Sequence, residues 1–354
     1  MRAISVEDLQ PGMTLARTLI NNDMVVVLSE GTLLTKAHIT RLNFLNIPSV
    51  YIKDEYELSP SYQNVEAMLK PSNAFVSKYK EVIHTAKDIF DATGKGGKLP
   101  VQQTAAMVKN PLLPMVQQSG VIDYLFELNH LASDVYNHSL RVSILAGVIA
   151  KWLAMPPEKI RDLILAGFLH DIGKSKFDTR LIEKRIDTLK GADLEAYMQH
   201  TMDGNHILSE SGSFSDGIKL AAMQHHERLD GSGFPFNSQG SDIHEYARII
   251  MVADIYDNIT TEREGCVKKT PFDALNQIAQ DMYTKLDPRI CVPFLTHSRE
   301  AFLGSSVILS NGLKGTIVHY PEGLNSQPMV RISQDVVVNL DEQKNITIVE
   351  YNPA

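Results

Sequence analysis

Two adjacent histidines, His225 and His226, open the stretch whose residue types are best suited to chemistry, which reads His-His-Glu-Arg-Leu-Asp-Gly-Ser-Gly-Phe-Pro. Neighbouring histidines are unusual in an ordinary core, because each buried imidazole would need its own hydrogen-bond partner. Two neutral ring nitrogens side by side suit metal ions instead. Gly231 and Gly233 permit a sharp turn, and Pro235 stiffens its exit. The stretch therefore favours a metal site.

Further candidate ligands recur between residues 125 and 300. They are Asp134 with His138, His170 with Asp171, His200, and Asp254. Asp134 and His138 are four residues apart, so we expect both on one helix face. Asp254 follows an apolar run, where a carboxylate needs a partner because burying an unpaired charge is costly.

Each candidate also has an ordinary interpretation when taken singly. Asp134 and His138 could form a surface pair, His200 could be a partly buried histidine, and Asp254 could be a structural carboxylate satisfied by Arg248. One shared centre explains all of them more economically. Histidine and carboxylate ligands without cysteine favour iron or manganese over a structural zinc cage.

The elements that position these residues are predicted to be helices. Apolar residues at helical spacing predict segments at 122–153, 158–171, 193–211, 214–226, 244–262 and 271–286. His170-Asp171 ends a strongly apolar helix, and Gly173-Lys174 terminates it. We therefore expect an all-helical domain over residues 125–302.

The flanking segments have a different pattern. Residues 1–58 predict a small α+β accessory unit, 59–124 a helical linker region, and 303–354 a small β-rich unit of five short strands, similar to a barrel or sheet. The fold class is thus mainly α, with an all-helical metal-binding domain between two small units. Neither flank carries a catalytic constellation, and regulation, dimerisation or docking remain their alternative roles.

Composition excludes several classes of function. The net charge of −8 over 354 residues argues against a DNA- or RNA-binding protein. The two cysteines, Cys266 and Cys291, imply no disulfide framework and fit a reducing cytoplasm. No signal-peptide core is present near the N-terminus, and the apolar run 144–154 is too short to span a membrane. We predict a soluble cytoplasmic protein.

The combined motifs over roughly residues 125–300 resemble the HD-GYP family of bacterial phosphodiesterases, which belong to the HD superfamily and hydrolyse cyclic di-GMP. The resemblance implies a bi- or trinuclear centre, usually of iron or manganese. It implies as metal ligands His138, His170, Asp171, His200, His225, His226 and Asp254, with Asp134 at the third-metal position. It further implies that Lys174 and Arg263 contact substrate phosphate. A diguanylate cyclase partner would fit the same resemblance.

Three departures from the family pattern stand out. The signature Gly-Tyr-Pro is Gly233-Phe234-Pro235 here, so a phenolic hydroxyl is lost. Asp134 stands where trinuclear members often have glutamate, and its side chain is one methylene shorter. Glu264-Gly265-Cys266 replaces the usual Pro-Tyr after Arg263 and alters one wall of the substrate pocket.

The expected reaction is metal-assisted hydrolysis of cyclic di-GMP to linear pGpG, and further hydrolysis to GMP stays open. Asp171 is the expected bridging ligand, because a carboxylate can span two ions, and Lys174 and Arg263 would neutralise phosphate charge. Two alternatives remain at this point. One is a cyclic-dinucleotide sensor with little or no turnover, and the other is a phosphodiesterase for a hybrid cyclic GMP-AMP.

Overall fold

A computed structural model of the chain describes residues 2–20, 26–32, 34–45, 47–52, 71–118, 120–128, 134–177, 181, 188–262, 269–333 and 336–353. The N-terminal unit contains strands β1 (Arg2–Ser5), β2 (Leu19–Ile20), β3 (Val26–Leu28) and β4 (Ser49–Ile52) with helix α1 (Lys36–Phe44). β1 pairs antiparallel with β4, and β2 with β3. This unit has its own small core, in which Leu15, Leu34 and Leu42 are fully buried.

Helices form the centre of the molecule. In chain order they are α2 (Pro71–Gly94), α3 (Val101–Met107), a π-helical segment (Val108–Leu112), α4 (Leu113–Val116), α5 (Val121–Leu128), α6 (Val135–Trp152), α7 (Pro157–Leu169), α8 (Ala192–Ser211), α9 (Asp216–Gln224), α10 (Glu245–Thr260), α11 (Pro271–Asp281) and α12 (Pro288–Phe302). Short 3₁₀ turns lie at Ile172–Lys176 and Gly240–Asp242. Their apolar faces share one large core.

Helices α6 and α7 pack unusually closely. A side chain at Gly167 would place its Cβ 2.7 Å from the Cα of Ser143, so only glycine allows this crossing. Gly173, in the 3₁₀ turn after α7, lies against α8 in the same way, since a Cβ there would be 2.0 Å from the carbonyl oxygen of His200. Both glycines allow the end of α7 to lie in the domain interior, where the candidate ligands are found.

The C-terminal unit is a five-stranded antiparallel sheet. Its strands are β5 (Ser306–Leu309), β6 (Lys314–His319), β7 (Met329–Arg331), β8 (Val337–Asn339) and β9 (Ile348–Asn352), in the order β8-β7-β6-β5-β9. The buried side chains of the sheet, including Val307, Val330 and Tyr351, belong to the same apolar core as the helices. Arg299 of α12 donates to the carbonyl groups of Gly323, Leu324 and Ser326 and thereby fastens the β6–β7 connection.

The predicted fold class is confirmed: the chain is mainly helical with a small β unit at its C-terminus. The single helix expected over 122–153 is wrong, because α5 ends at Leu128 and α6 begins after Asp134, whose extended backbone makes it an N-cap. Helix α12 was missed, although Asp287-Pro288 is a typical helix start. None of the described helices combines the length and the apolarity that crossing a bilayer requires.

Candidate metal centre

Five helices bring seven predicted ligands to one buried place. His138 lies in the first turn of α6, His170 and Asp171 end α7, His200 lies in α8, His225 and His226 end α9, and Asp254 lies in α10. His170, His200 and His225 are fully buried, and Asp171 is 1% exposed. The ring or carboxylate atoms of His138, His170 and Asp171 lie within 4.8 Å of one another, and so do those of Asp171, His200, His225 and His226.

Three of the imidazoles are oriented by the backbone of their own helices. The Nδ1 atom of each lies at hydrogen-bond distance from a carbonyl oxygen three residues earlier: His170 from Gly167 at 2.7 Å, His225 from Ala222 at 2.9 Å, and His200 from Tyr197. Such a bond fixes the tautomer with the hydrogen on Nδ1 and leaves Nε2 as the free ligand atom. Helix ends thus aim these Nε2 atoms at one centre.

Asp171 lies between two pairs of imidazoles. Its Oδ1 atom is 3.3 Å from His200 Nε2 and 3.5 Å from His225 Nε2. Its Oδ2 atom is 3.4 Å from His170 Nε2 and 3.6 Å from His138 Nε2. Each carboxylate oxygen therefore faces a different pair of ring nitrogens, which is the arrangement of a carboxylate shared by two cation sites.

Asp254 completes the side of the centre formed by His138 and His170. Its Oδ1 atom is 3.1 Å from His138 Nε2 and 3.9 Å from His170 Nε2, and it accepts a hydrogen bond of 2.7 Å from Asn258. A ring nitrogen lone pair and a carboxylate oxygen at 3.1 Å need a proton or a cation between them.

Three ligand atoms of the centre are buried without a hydrogen-bond partner among the described residues: His170 Nε2, Asp171 Oδ1 and His226 Nε2. Buried polar atoms in native proteins are almost always satisfied, so convergent unsatisfied atoms point to an absent ligand. Imidazole nitrogen and carboxylate oxygen are donors that divalent transition metals accept. The donor set therefore fits metal ions.

The local electrostatics keep most of these imidazoles neutral. Burial lowers the pKa of His170 to about 3 and, together with the Lys174 ammonium, that of His200 to about 4; burial also places the pKa of His226 well below its ordinary value. Burial alone would raise the pKa of Asp171, but Lys174 and His170 lower it well below the ordinary range. A neutral imidazole and an ionised carboxylate are the forms that bind metal.

His138 is held differently, by residues that sequence analysis missed. Its Nδ1 lies 2.8 Å from Asp257 Oδ2, and Asp257 is bound in turn by the fully buried Arg141, whose Nε donates at 2.6 Å. Burial alone would lower the pKa of His138, but the hydrogen bonds to Asp254 and Asp257 raise it. The signal was available in the spacing, since Asp257 follows Asp254 by three residues and Arg141 follows His138 by three.

Lys174 lies directly over the shared carboxylate. Its Nζ donates to Asp171 Oδ2 at 2.6 Å and to the hydroxyl of Tyr197 at 3.1 Å. Burial opposes its charge, but Asp171 and Tyr197 raise the pKa of Lys174 above its ordinary value. The side chain is therefore a buried ammonium at the centre.

The Gly233-Phe234-Pro235 segment closes one side of the centre. The ring of Phe234 stacks on His226 with 4.6 Å between ring centroids. Glu227, to which sequence analysis assigned no role, is buried and accepts from the backbone N–H groups of Phe236 at 2.8 Å and Ser238 at 3.0 Å. This carboxylate folds the loop back so that Phe234 reaches the imidazole.

One predicted ligand, Asp134, is not brought to this centre. Asp134 caps α6: its Oδ1 accepts from the backbone N–H of Asn137 at 2.8 Å, and both of its carboxylate oxygens accept from the Asn137 side chain. It is absent from both ligand clusters. Arg263 and the following Glu264-Gly265-Cys266 lie outside the described residues.

Comparison with known proteins agrees with this geometry. The family described as HD domain matches residues 121–290. The cyclic di-GMP phosphodiesterase PA4108 of Pseudomonas aeruginosa is 25% identical over 70% of this chain and 62% of its own length. The 3'3'-cGAMP-specific phosphodiesterase 3 of Vibrio cholerae is 32% identical over 43% of this chain and 32% of its own length. The chain thus spans less than two thirds of either curated relative.

A solved structure shares the fold. Bd1817, a HDG"Y"P protein from Bdellovibrio bacteriovorus, aligns with a TM-score of 0.52 and 17% identity over 82% of this chain and 97% of its own. The expected helical domain and the resemblance to HD-type phosphodiesterases are confirmed.

Proposed function

We propose that the HD domain formed by residues 121–290 is a metal-dependent phosphodiesterase that hydrolyses cyclic di-GMP to linear pGpG. The observation that carries the proposal is the position of Asp171, whose two oxygens face two separate pairs of imidazole nitrogens. A second hydrolysis step, to GMP, would use the same centre.

Two ions account for the ligands that the fold brings together. His138, His170, Asp171 and Asp254 would hold one ion, and Asp171, His200, His225 and His226 the other. The mixed donors favour iron or manganese. A third ion would draw on Asp134, whose carboxylate is engaged at the helix cap, so we propose two ions per chain. Bound ions of this kind supply Lewis acidity toward a phosphoryl oxygen and lower the pKa of water.

The chain's own residues would bind and orient the phosphodiester. The buried ammonium of Lys174 neutralises phosphate charge in a setting where water competes little for it. Phe234 forms an apolar wall beside His226, and Arg263 is the second phosphate contact that the family resemblance implies. The cationic and apolar side chains of the site therefore suit an anionic phosphodiester.

The named activities of the relatives favour cyclic dinucleotides as the substrate class. One relative acts on cyclic di-GMP and another on 3'3'-cGAMP, so the hybrid dinucleotide is a second candidate substrate. A sensor that binds without turnover is the remaining candidate, favoured by the capped Asp134 and by the missing hydroxyl at Phe234.

The test measures metal content and turnover together. Protein purified anaerobically is assayed for iron and manganese per chain and is then incubated separately with cyclic di-GMP and 3'3'-cGAMP. We expect two ions per chain and release of pGpG. The Asp171→Ala variant should lose at least about a hundredfold in turnover, because even outer-shell partners of metal ligands are worth 10–100-fold.

The matched control is Asp203→Ala, which removes a partly exposed carboxylate of α8 whose ion pair within the described part of the chain is a 3.8 Å contact with Lys176. It should retain turnover. Metal-loaded wild type that binds cyclic di-GMP and releases no product would establish the sensor instead, and faster release from 3'3'-cGAMP would change the substrate.

A further inference from the structure

The phenol of Tyr197 stands at the centre with a hydrogen to donate. Tyr197 lies on α8 three residues before His200, so both side chains project from one helix face. The residue is 6% exposed, and its ring centroid lies 5.1 Å from that of His200 and 6.2 Å from that of His226. The ring is therefore part of the lining of the metal centre.

The hydrogen bond from Lys174 decides how the hydroxyl of Tyr197 is used. An ammonium can only donate, so the Tyr197 oxygen is the acceptor in the 3.1 Å contact. The hydroxyl hydrogen is then free to point elsewhere. Within the described part of the chain, no acceptor takes this hydrogen. Buried hydroxyls usually find an acceptor, so this hydrogen is available to a ligand bound at the centre.

Tyr197 and Lys174 together present two donors on one side of Asp171. Lys174 is held by Asp171 Oδ2 and by the Tyr197 oxygen, and its Nζ also lies 4.8 Å from the centroid of the Tyr197 ring. An ammonium has three hydrogens, so one remains for a ligand. Adjacent N–H and O–H donors of this kind suit two oxygens of one phosphoryl group.

Phe234 lies beside the same imidazoles as Tyr197. Its ring contacts the same two imidazoles as Tyr197, at 4.6 Å from His226 and 6.5 Å from His200, but it carries no hydroxyl. We propose that Tyr197 is a substrate-binding residue whose hydroxyl, positioned by Lys174, donates to a phosphoryl oxygen and supplies from α8 the phenolic hydroxyl that the Phe234 loop lacks. This inference rests on the proposed phosphodiesterase function.

The test uses Tyr197→Phe, which keeps the ring against His200 and removes only the hydroxyl. Turnover of cyclic di-GMP and the Kd for inorganic phosphate are measured on the metal-loaded full-length protein. We expect kcat/KM to fall by about tenfold or more and the phosphate Kd to rise by a similar factor, because Tyr197→Phe removes a hydrogen bond to a charged oxygen. Metal content should equal that of wild type.

The matched control is Tyr246→Phe, which removes a phenolic hydroxyl that contacts Asp162 at 3.5 Å in the same domain and should change neither quantity. Unchanged kcat/KM and unchanged phosphate Kd in Tyr197→Phe would overturn the proposal. Loss of metal from that variant would also overturn it, since the hydroxyl would then serve the metal centre itself.

The two readouts separate this inference from the function on which it rests. If wild type turns over neither dinucleotide, the proposed function fails, and the phosphate Kd still decides the role of Tyr197. Wild type that neither turns over a dinucleotide nor binds phosphate would overturn both proposals.

Discussion

The metal centre and the joint between the helices and the C-terminal sheet both bury polar groups, but among the described residues only the centre brings unpartnered histidine and aspartate atoms together at one place. At the joint, the hydroxyl of Tyr351 on β9 donates to Asp123 on α5, and its ring packs among aromatic side chains. At the centre, His170 Nε2, Asp171 Oδ1 and His226 Nε2 have no partner among the described residues.

The difference indicates what each region is for. A satisfied polar contact inside a core contributes to stability. Unsatisfied ligand atoms that converge on one point are instead available to bind a metal ion. Changes at the centre should therefore alter metal and phosphate binding, and changes at the joint should alter stability alone.

Asp257→Asn is expected to affect both properties, because Asp257 holds a metal ligand and is also paired with a buried charge. Metal affinity should fall about 10–100-fold, since an amide orients His138 less well than a carboxylate. The free energy of unfolding should fall by about 3–5 kcal/mol, because Arg141 is left buried without its counter-charge. Calorimetric titration with Mn²⁺ and urea denaturation measure the two.

A double variant separates these effects. Arg141→Met combined with Asp257→Asn removes the charge pair, which should restore much of the stability while metal affinity stays low. Full recovery of metal affinity in the double variant would show that Asp257 acts on the centre only through stability.

The pH dependence of stability should also originate at the centre. In metal-free protein the pKa values of His170 and His200 are about 3 and about 4, against 6.5 in an ordinary environment. As the pH falls below 6.5 the unfolded chain takes up protons that the folded protein does not. The free energy of unfolding should therefore fall between pH 6.5 and 4, by up to about 1.4 kcal/mol per pH unit for each such histidine.

The contribution of His138 to the pH dependence of stability has the opposite sign. Its raised pKa gives a contribution that is present below pH 6.5 and is lost as the pH rises through its folded value. Urea denaturation between pH 4 and 8 measures the free energy of unfolding, to which all of these histidines contribute. His200→Gln should flatten the acid decline, and the exposed His206→Gln should leave it unchanged. An equally steep decline in His200→Gln would contradict the assignment.

Tyr351→Phe is expected to give the smallest effect and to confine it to stability. Loss of the hydroxyl that donates to the Asp123 carboxylate should lower the free energy of unfolding by about 1.5–3 kcal/mol, with metal affinity and turnover unchanged. The exposed Tyr283→Phe is the control and should change nothing. A decrease in metal affinity in Tyr351→Phe would contradict the separation between joint and centre.

Sequence reasoning located most of the helices because their apolar periodicity is strong. It failed where a local cap decides the backbone, as at Asp134, which interrupts the expected 122–153 helix by binding Asn137. Because the Asp134 carboxylate binds Asn137, it does not join His138 as a metal ligand. Four-residue spacing places two side chains on one face only when both lie inside the helix.

The roles of Asp257 and Tyr197 were not predicted for a second reason. Asp257 holds His138 across 119 residues of sequence, and Tyr197 meets Lys174 across 23. Periodicity describes the neighbours within one element, so contacts between elements are not contained in it.

The sequence by itself determined the donor types and their number, because histidines and carboxylates at helix ends and in apolar runs demand partners wherever they are buried. Only the tertiary structure decided how they meet. The close crossings at Gly167 and Gly173 bring the end of α7 between α6, α8, α9 and α10. This packing turns one oxygen of Asp171 toward His200 and His225 and the other toward His138 and His170. The reason is physical: spacing along a helix fixes which side chains share a face, while packing between helices fixes what that face meets.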